Sequence, residues 1–175
     1  FPTAVTILDP TYGNGSFWNW DTPFRVIGGD VDPTRARDYV GDCRDLPFGY
    51  ESVDVVVLDP PFLGGGHSGI IKSRYARVGG RHNIKDLMEM YHRGVLEGWR
   101  VARQGLIVKC QDVVESGKFH MVHHDIVLHA QYSGLPIPVD VAHIVRTRAM
   151  SDPRWKTVQH LRSAHSYFLV WKKES

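Results

Sequence analysis

The stretch VVVLDPPFLGGG, Val55 to Gly66, concentrates residue types that can do chemistry. A run of β-formers ends on Asp59, passes through Pro60-Pro61-Phe62 and dissolves into glycine. A carboxylate at the end of a buried strand is costly unless something compensates it. The Asp59 carboxylate and the Pro60 carbonyl can converge on an amino group as acceptors, which turns the nitrogen lone pair toward an electrophile. The prolines fix the backbone, and Phe62 offers a face on which a planar base can stack. Acceptors plus a ring describe a pocket for an aromatic amine. A Pro-Pro strand terminator beside a core Phe is the structural alternative.

Three further acids follow apolar runs. Ala4 to Leu8 ends at Asp9-Pro10 and continues as Thr11-Tyr12-Gly13-Asn14-Gly15, a Gly-x-Gly turn of the kind that lets a ligand approach the backbone. The third glycine of a dinucleotide fingerprint is missing, because Ser16-Phe17-Trp18 stand there, so a ligand without phosphate at this turn fits better than a phosphate cradle. A tight turn holding nothing is the other reading. Arg25 to Gly29 ends at Asp30, with Val31 beside it; an acid there can accept both hydroxyls of a ribose. Asp32 is a weaker competitor for that role. Tyr39 to Gly41 ends at Asp42-Cys43, where a carboxylate can take the exocyclic amine of adenine. Each acid alone reads as a turn cap. Together at one edge they describe a crevice for an adenosine-containing ligand.

These residues need a scaffold that delivers strand ends to one side. The alternation of strands and connections predicts an open, mostly parallel α/β sheet, whose ligands sit outside the carboxyl ends of the strands. Ile84 to Val101 has helical apolar spacing, Gly105 to Cys110 reads as a buried strand, and Val122 to Tyr132 as a second helix that stops near Gly134 and Pro136. Strands are expected at Val139 to Val145 and Ser166 to Lys172, the last antiparallel or at an edge. The connection from Leu63 to Asn83 is long enough to be functional or mobile.

The 175 residues are the size of one domain, 1–175. A hydrophobic fraction of 42% and five tryptophans exclude disorder, and no apolar run approaches the roughly 18 residues of a membrane span. Cys43 and Cys110 lack metal-type spacing, and the absence of a secretory signal points to a cytoplasmic protein. His120 and His124 have i,i+4 spacing, but without a third ligand or an HExxH pattern no metal is expected. The net charge of +2 is small, yet Lys72, Arg74, Arg77 and Arg81 gather in the long connection, and Arg146, Arg148, Arg154, Lys156 and Arg162 near the end. A start at Phe1, directly before a strand, is expected of a fragment whose upstream element is missing.

Asp59-Pro60-Pro61-Phe62 resembles the catalytic (D/N/S)PP(Y/F/W) tetrapeptide of the amino-methyltransferases, which use S-adenosylmethionine to methylate an exocyclic nitrogen of a nucleic-acid base. Asp9 to Gly15 is similar to that family's DPxxGxG cofactor loop, Asp30 to its ribose-binding acid, and Gly41 to Phe48 to the segment that meets adenine. LIVKCQD (106–112) and QHLRSAHSYFLVW (159–171) resemble later strands of bacterial and phage DNA modification methylases. The resemblance implies a Rossmann-like class I methyltransferase fold: a mostly parallel seven-stranded sheet with an antiparallel strand and helices on both faces. It also implies direct methyl transfer with no metal, Asp59, Pro60, Pro61 and Phe62 catalytic, and Asp9 to Gly13, Gly15, Asp30, Val31, Asp42, Cys43 and Asp59 around the cofactor. Adenine N6 in DNA is the expected target, the base being flipped onto Phe62 while Lys72, Arg74, Arg77 and Arg81 contact phosphates. RNA guanine or adenine amines are the alternative, and a noncatalytic nucleic-acid-binding subunit is a third reading. There is no room for a large target-recognition domain, so target reading falls to the 63–83 loop, the basic C-terminal segment, a partner subunit or a homodimer. The expected source is bacterial or phage.

Overall fold

Strand β4 (Val53–Leu58) is buried at all six positions, as its apolar run, interrupted only by the hydrogen-bonded Asp54, requires of a strand covered on both faces. The computed structural model, which describes residues 1–60, 83–145 and 165–174, builds the rest around it. The order is β1 (Thr6–Asp9), β2 (Arg25–Asp30), β3 (Tyr39–Val40), β4, α1 (Ile84–Val101), β5 (Ala102–Cys110), a hairpin of β6 (Val113–Glu115) and β7 (Lys118–His120), α2 (Val122–Tyr132), β8 (Asp140–Val145) and β9 (His165–Lys172). A 3₁₀ turn at Ser16–Trp18 follows β1.

Seven strands form one sheet in the order β3-β2-β1-β4-β5-β9-β8. β3, β2, β1, β4 and β5 run parallel, and β9 is antiparallel to both β5 and β8. The alternation that suggested an antiparallel or edge strand at the end of the chain belongs to an antiparallel strand inside the sheet, and β8 takes the edge. All six residues of β8 are exposed.

The pleat divides the core in two. Leu8, Val56, Leu58, Leu106, Val108, Leu169 and Trp171 point to one face, where Leu87, Tyr91 and Val95 of α1 and Val122, Ile126 and Ala130 of α2 cover them. Ile7, Val55 and Val57 point to the other, where the described cover is Phe1, Phe17, Trp18 and Phe24 rather than a long helix. The expected helices are therefore both seen on the first face.

Helix α1 begins on a capping box: the Asn83 side chain accepts from the N–H groups of Lys85 and Asp86, and the Asp86 side chain faces back to the Asn83 N–H. It passes straight into β5, which starts three residues before the expected Gly105 because Ala102 is already extended. The β6–β7 hairpin was not anticipated. Its Ser116-Gly117 turn has φ of 50° and 76°, the positive pair that type I′ turns require.

β1 and β4 are stitched at both ends. At the start, Asp54 accepts from the N–H groups of Val5 and Thr6 and the Thr6 hydroxyl, each at 2.9 Å. Burial pushes the Asp54 carboxyl up, but these bonds and the nearby Arg103 leave it below the ordinary carboxylate value. At the carboxyl end the stitch is part of the candidate site.

Candidate active site at the carboxyl edge of the sheet

Parallel strands in the order β3-β2-β1-β4 bring the four acids to one edge in the order Asp42, Asp30, Asp9, Asp59. Asp9, Asp30 and Asp59 end or directly follow their strands; Asp42 lies two residues beyond β3. Their environments differ enough to separate their tasks.

Asp9 is 1% exposed and acts as an anchor. Its Oδ1 accepts from the Thr11 N–H at 2.9 Å and the Thr11 hydroxyl at 3.0 Å; its Oδ2 accepts from the Trp18 indole N–H at 2.7 Å. Burial raises its pKa to about 6; the bonds from Trp18 and Thr11 oppose that rise, and the charge of Asp59 adds to it. The Thr11 hydroxyl in turn accepts from the Asp59 N–H at 2.8 Å. One threonine thus couples the Gly-x-Gly loop to the end of β4. Trp18, left without a role by its sequence context, is the indole that makes the buried carboxylate tenable.

The loop closes against β2. The Tyr12 N–H donates to Gly29 O at 2.9 Å, and the Gly13 N–H donates to Asp30 Oδ2 at 3.0 Å. Gly13 and Gly15 have φ of 59° and 71°, in the left-handed region. A side chain at Gly15 would also come within 2.7 Å of the Tyr12 hydroxyl, whereas at Gly13 the nearest atom is 3.9 Å away. The space over Gly13 is therefore open for close approach by a ligand. Asp30 Oδ1 accepts from the Asp32 N–H at 2.8 Å, so the half-buried Asp30 carboxylate is held by backbone on two sides.

Asp32, the competitor for that task, is instead buried in its own turn, accepting from the Thr34 N–H and hydroxyl and pairing with Arg35. Val31 is exposed beside Asp30, and Pro10 is buried behind the loop. Asp42 is gripped by Arg44 through Nε at 2.9 Å and Nη2 at 2.6 Å, and this bond chiefly holds its carboxyl below the ordinary value. Cys43 is buried in the core, where desolvation pushes its thiol up to about 12. It is a packing residue with no reactive thiolate. Among the described residues the buried Tyr39 hydroxyl has no hydrogen-bond partner; burial pushes its pKa up, and the nearby Cys43, Asp9 and Asp30 add to the rise.

Asp59, at the β4 end of the series, is partly exposed. Its Oδ2 accepts from Lys109 Nζ at 2.7 Å, with side-chain exposures of 19% and 16%. Lys109 was not singled out in the sequence, although it is the one charge in the run Leu106-Ile107-Val108-Lys109-Cys110, and a lone cation in a buried strand signals a partner. Pro60 is buried directly after Asp59. Pro61, Phe62, Lys72, Arg74, Arg77 and Arg81 lie outside the described residues, as do the 63–82 part of the long connection and the basic residues from 146 to 162.

Beyond β5 the same edge carries Asp112, 3% exposed, which accepts from His123 Nδ1 at 2.6 Å. His123 and His143 both stack on Tyr167, with ring centroids 4.1 and 4.8 Å away. His120 ends β7 and His124 lies in the first turn of α2, in the wall of a groove shared with Ile84, Met88 and Phe119. Among the described residues no three His, Cys, Asp or Glu side chains converge as metal ligands, and no helix is long and apolar enough to cross a membrane.

No known family profile matches the chain, and no curated protein matches it. Solved structures do. The chain is similar to a candidate methyltransferase from Bacillus halodurans, at 14% identity and a TM-score of 0.57, over 97% of this chain and 93% of that one. It is similar to a TehB-like SAM-dependent methyltransferase from Corynebacterium glutamicum, at 14% identity and a TM-score of 0.54, over 99% and 83%. The cyclase SpnF matches at 16% identity and a TM-score of 0.53, over 80% and 54%. At such identities the likeness is one of fold, and a fold that hosts a cyclase as well as methyltransferases does not by itself name a reaction. With its strand order and β9 running antiparallel within the sheet, the chain has the Rossmann-like class I methyltransferase fold.

Proposed function

We propose that the chain binds S-adenosylmethionine along the β2–β1–β4 edge and transfers its methyl group to an exocyclic amine of a nucleobase, adenine N6 in DNA first. The observation that carries the reading is the coupling of the Gly-x-Gly loop to the Asp59-Pro60 end of β4 through Thr11. A loop that cradles one ligand and a tetrapeptide that accepts from a second are useful together only if the two ligands react.

The residues present fit the cofactor. The open approach over Gly13, the half-buried Asp30 carboxylate and the buried Tyr39 hydroxyl, which has no partner among the described residues, supply space, an acceptor for ribose hydroxyls and a polar group on one edge. When bound, the cofactor supplies an electrophilic methyl on a positively charged sulfur. The chain supplies orientation: Asp59 and the Pro60 carbonyl accept from the amine, aim its lone pair and stabilise the positive charge that develops on nitrogen. As the N–C bond formed, the S–C bond would break with its electron pair staying on sulfur as a neutral thioether, and the methylated amine would release its extra proton to solvent past the partly exposed Asp59. Neither buried cysteine takes part.

The DNA preference rests on the resemblance of the tetrapeptide, with Asp rather than Ser at position 59; RNA amines are the alternative. Phe62 and the Lys72, Arg74, Arg77 and Arg81 group are assigned to the base and its phosphates, with a second copy or a specificity subunit completing target reading. The test is transfer of labelled methyl from S-adenosylmethionine to separate DNA and RNA substrates by the full-length protein. Label on DNA, lost in Asp59→Ala by about 10²- to 10⁴-fold, is the expected result. Label confined to RNA moves the target to the alternative, and cofactor binding without transfer to either overturns the amine reading.

A further inference from the structure

Asp59 is not fixed by its own strand alone. Leu58 pairs with Val108 across the parallel β4–β5 ladder, so Asp59 and Lys109 are the next positions along each strand, and their side chains meet at 2.7 Å. The Lys109 ammonium also sits 5.5 Å from the centre of the Phe17 ring, on the turn that follows the cofactor loop. Its backbone is held from the helix side, where the Tyr91 hydroxyl donates to Lys109 O at 3.1 Å. Tyr91 is fully buried, so this end of β5 cannot shift without disturbing the core. The Asp59 backbone is held by Thr11 in the loop after β1 and its Oδ2 by Lys109 of β5, from either side of β4.

We infer that Lys109 is the positioning residue for Asp59: it fixes the carboxylate in one rotamer so that the incoming amine meets an acceptor already aimed. The inference rests on the methyl-transfer reading and adds a residue that the tetrapeptide does not contain. A carboxylate that must accept from a neutral amine gains from a fixed orientation, because a misplacement of about 1 Å can cost on the order of 100-fold in rate. An ion pair at this burial is tighter than a surface pair, and its cation is one that the amine cannot displace by forming a hydrogen bond of its own. Lys109 touches neither reactant in this role; it acts through Asp59.

The experiment is a double-mutant cycle on the full-length protein with Lys109→Met, Asp59→Asn and the pair, read in two ways. Urea unfolding measures whether the ion pair couples the two positions, and single-turnover methyl transfer to DNA and RNA measures its effect on the reaction. The expected result is non-additive unfolding together with a fall of about 100-fold in the transfer rate of Lys109→Met, with S-adenosylmethionine affinity kept within a few-fold. Lys109→Arg should recover most of the rate, since a guanidinium can reach the same oxygen. In the Asp59→Asn background Lys109→Met should cost little more, because the carboxylate it positions is already gone. Transfer at the wild-type rate by a folded Lys109→Met protein overturns the inference and leaves the methyl-transfer reading standing. A wild-type protein that couples the pair in unfolding but methylates no nucleic acid overturns both.

Discussion

Asp9 and Asp59 are two carboxylates about one strand apart with opposite tasks, and the difference follows from what donates to them. Asp9 is enclosed and satisfied by Thr11 and Trp18, so it anchors; Asp59 is partly open and held by Lys109, so it can meet a ligand. The raised pKa of Asp9, about 6, has a pH signature. In the unfolded chain the same carboxyl titrates near the ordinary value of about 3.9, so between these two values the folded state binds the proton more tightly. The ionised group therefore costs stability that is fully felt above about pH 6 and absent below about pH 4. Carbon-detected NMR of the Asp9 carboxyl should give a midpoint near 6, moving upward in Trp18→Phe, which deletes a bond that favours the ionised form. A downward shift would contradict the anchoring role. At this scale the sequence was informative about acids and silent about their partners. Asp-Pro-Pro-Phe and the Gly-x-Gly turn announce themselves by type and spacing, whereas Lys109 and Trp18 reach the site by side-chain direction, 50 and 9 residues away in the chain.

At the scale of elements, local signals located what they govern. Helix α1 shows its start in Asn83 and Asp86, and the apolar spacing from Ile84 to Val101 is a face that packs on β4 and β5. Asn83→Ala removes the acceptor for two helix N–H groups and should lower stability by about 1 kcal/mol, measured by urea unfolding with unchanged slope. No change would mean that packing of Leu87 and Tyr91 alone sets that end. The elements that escaped notice fail for physical reasons. The β6–β7 hairpin is three residues a side, too short for its alternation to stand out, and its Ser116-Gly117 turn is a weaker signal than Asn-Gly. The early start of β5 was hidden because no turn residue separates it from α1.

At the scale of the molecule, the parallel sheet was legible because four apolar runs each ended on an acid, and only parallel strands place such ends on one side. The pairing order was not, since nothing local says that β1 lies between β2 and β4 or that β9 inserts between β5 and β8. That order makes a site out of residues spread from Asp9 to Lys109. It also puts the candidate catalytic strand at the middle of the sheet, with every one of its residues buried.

The central place of β4 has a dynamic consequence. The amides of Val55, Val56 and Val57 lie between β1 and β5 under apolar cover on both faces, so they can meet solvent only when the sheet itself opens. Hydrogen exchange at these three amides should therefore report an opening free energy equal to that of global unfolding, falling with urea along the same slope as the equilibrium transition. Faster, urea-independent exchange would show that the strand breathes on its own. Because the Asp59 N–H is tied to the Thr11 hydroxyl in the loop after β1, the candidate catalytic end of β4 should belong to the last part of the protein to come apart. A destabilising substitution elsewhere in the core should then reduce how many molecules are competent and leave the chemistry of each competent one unchanged.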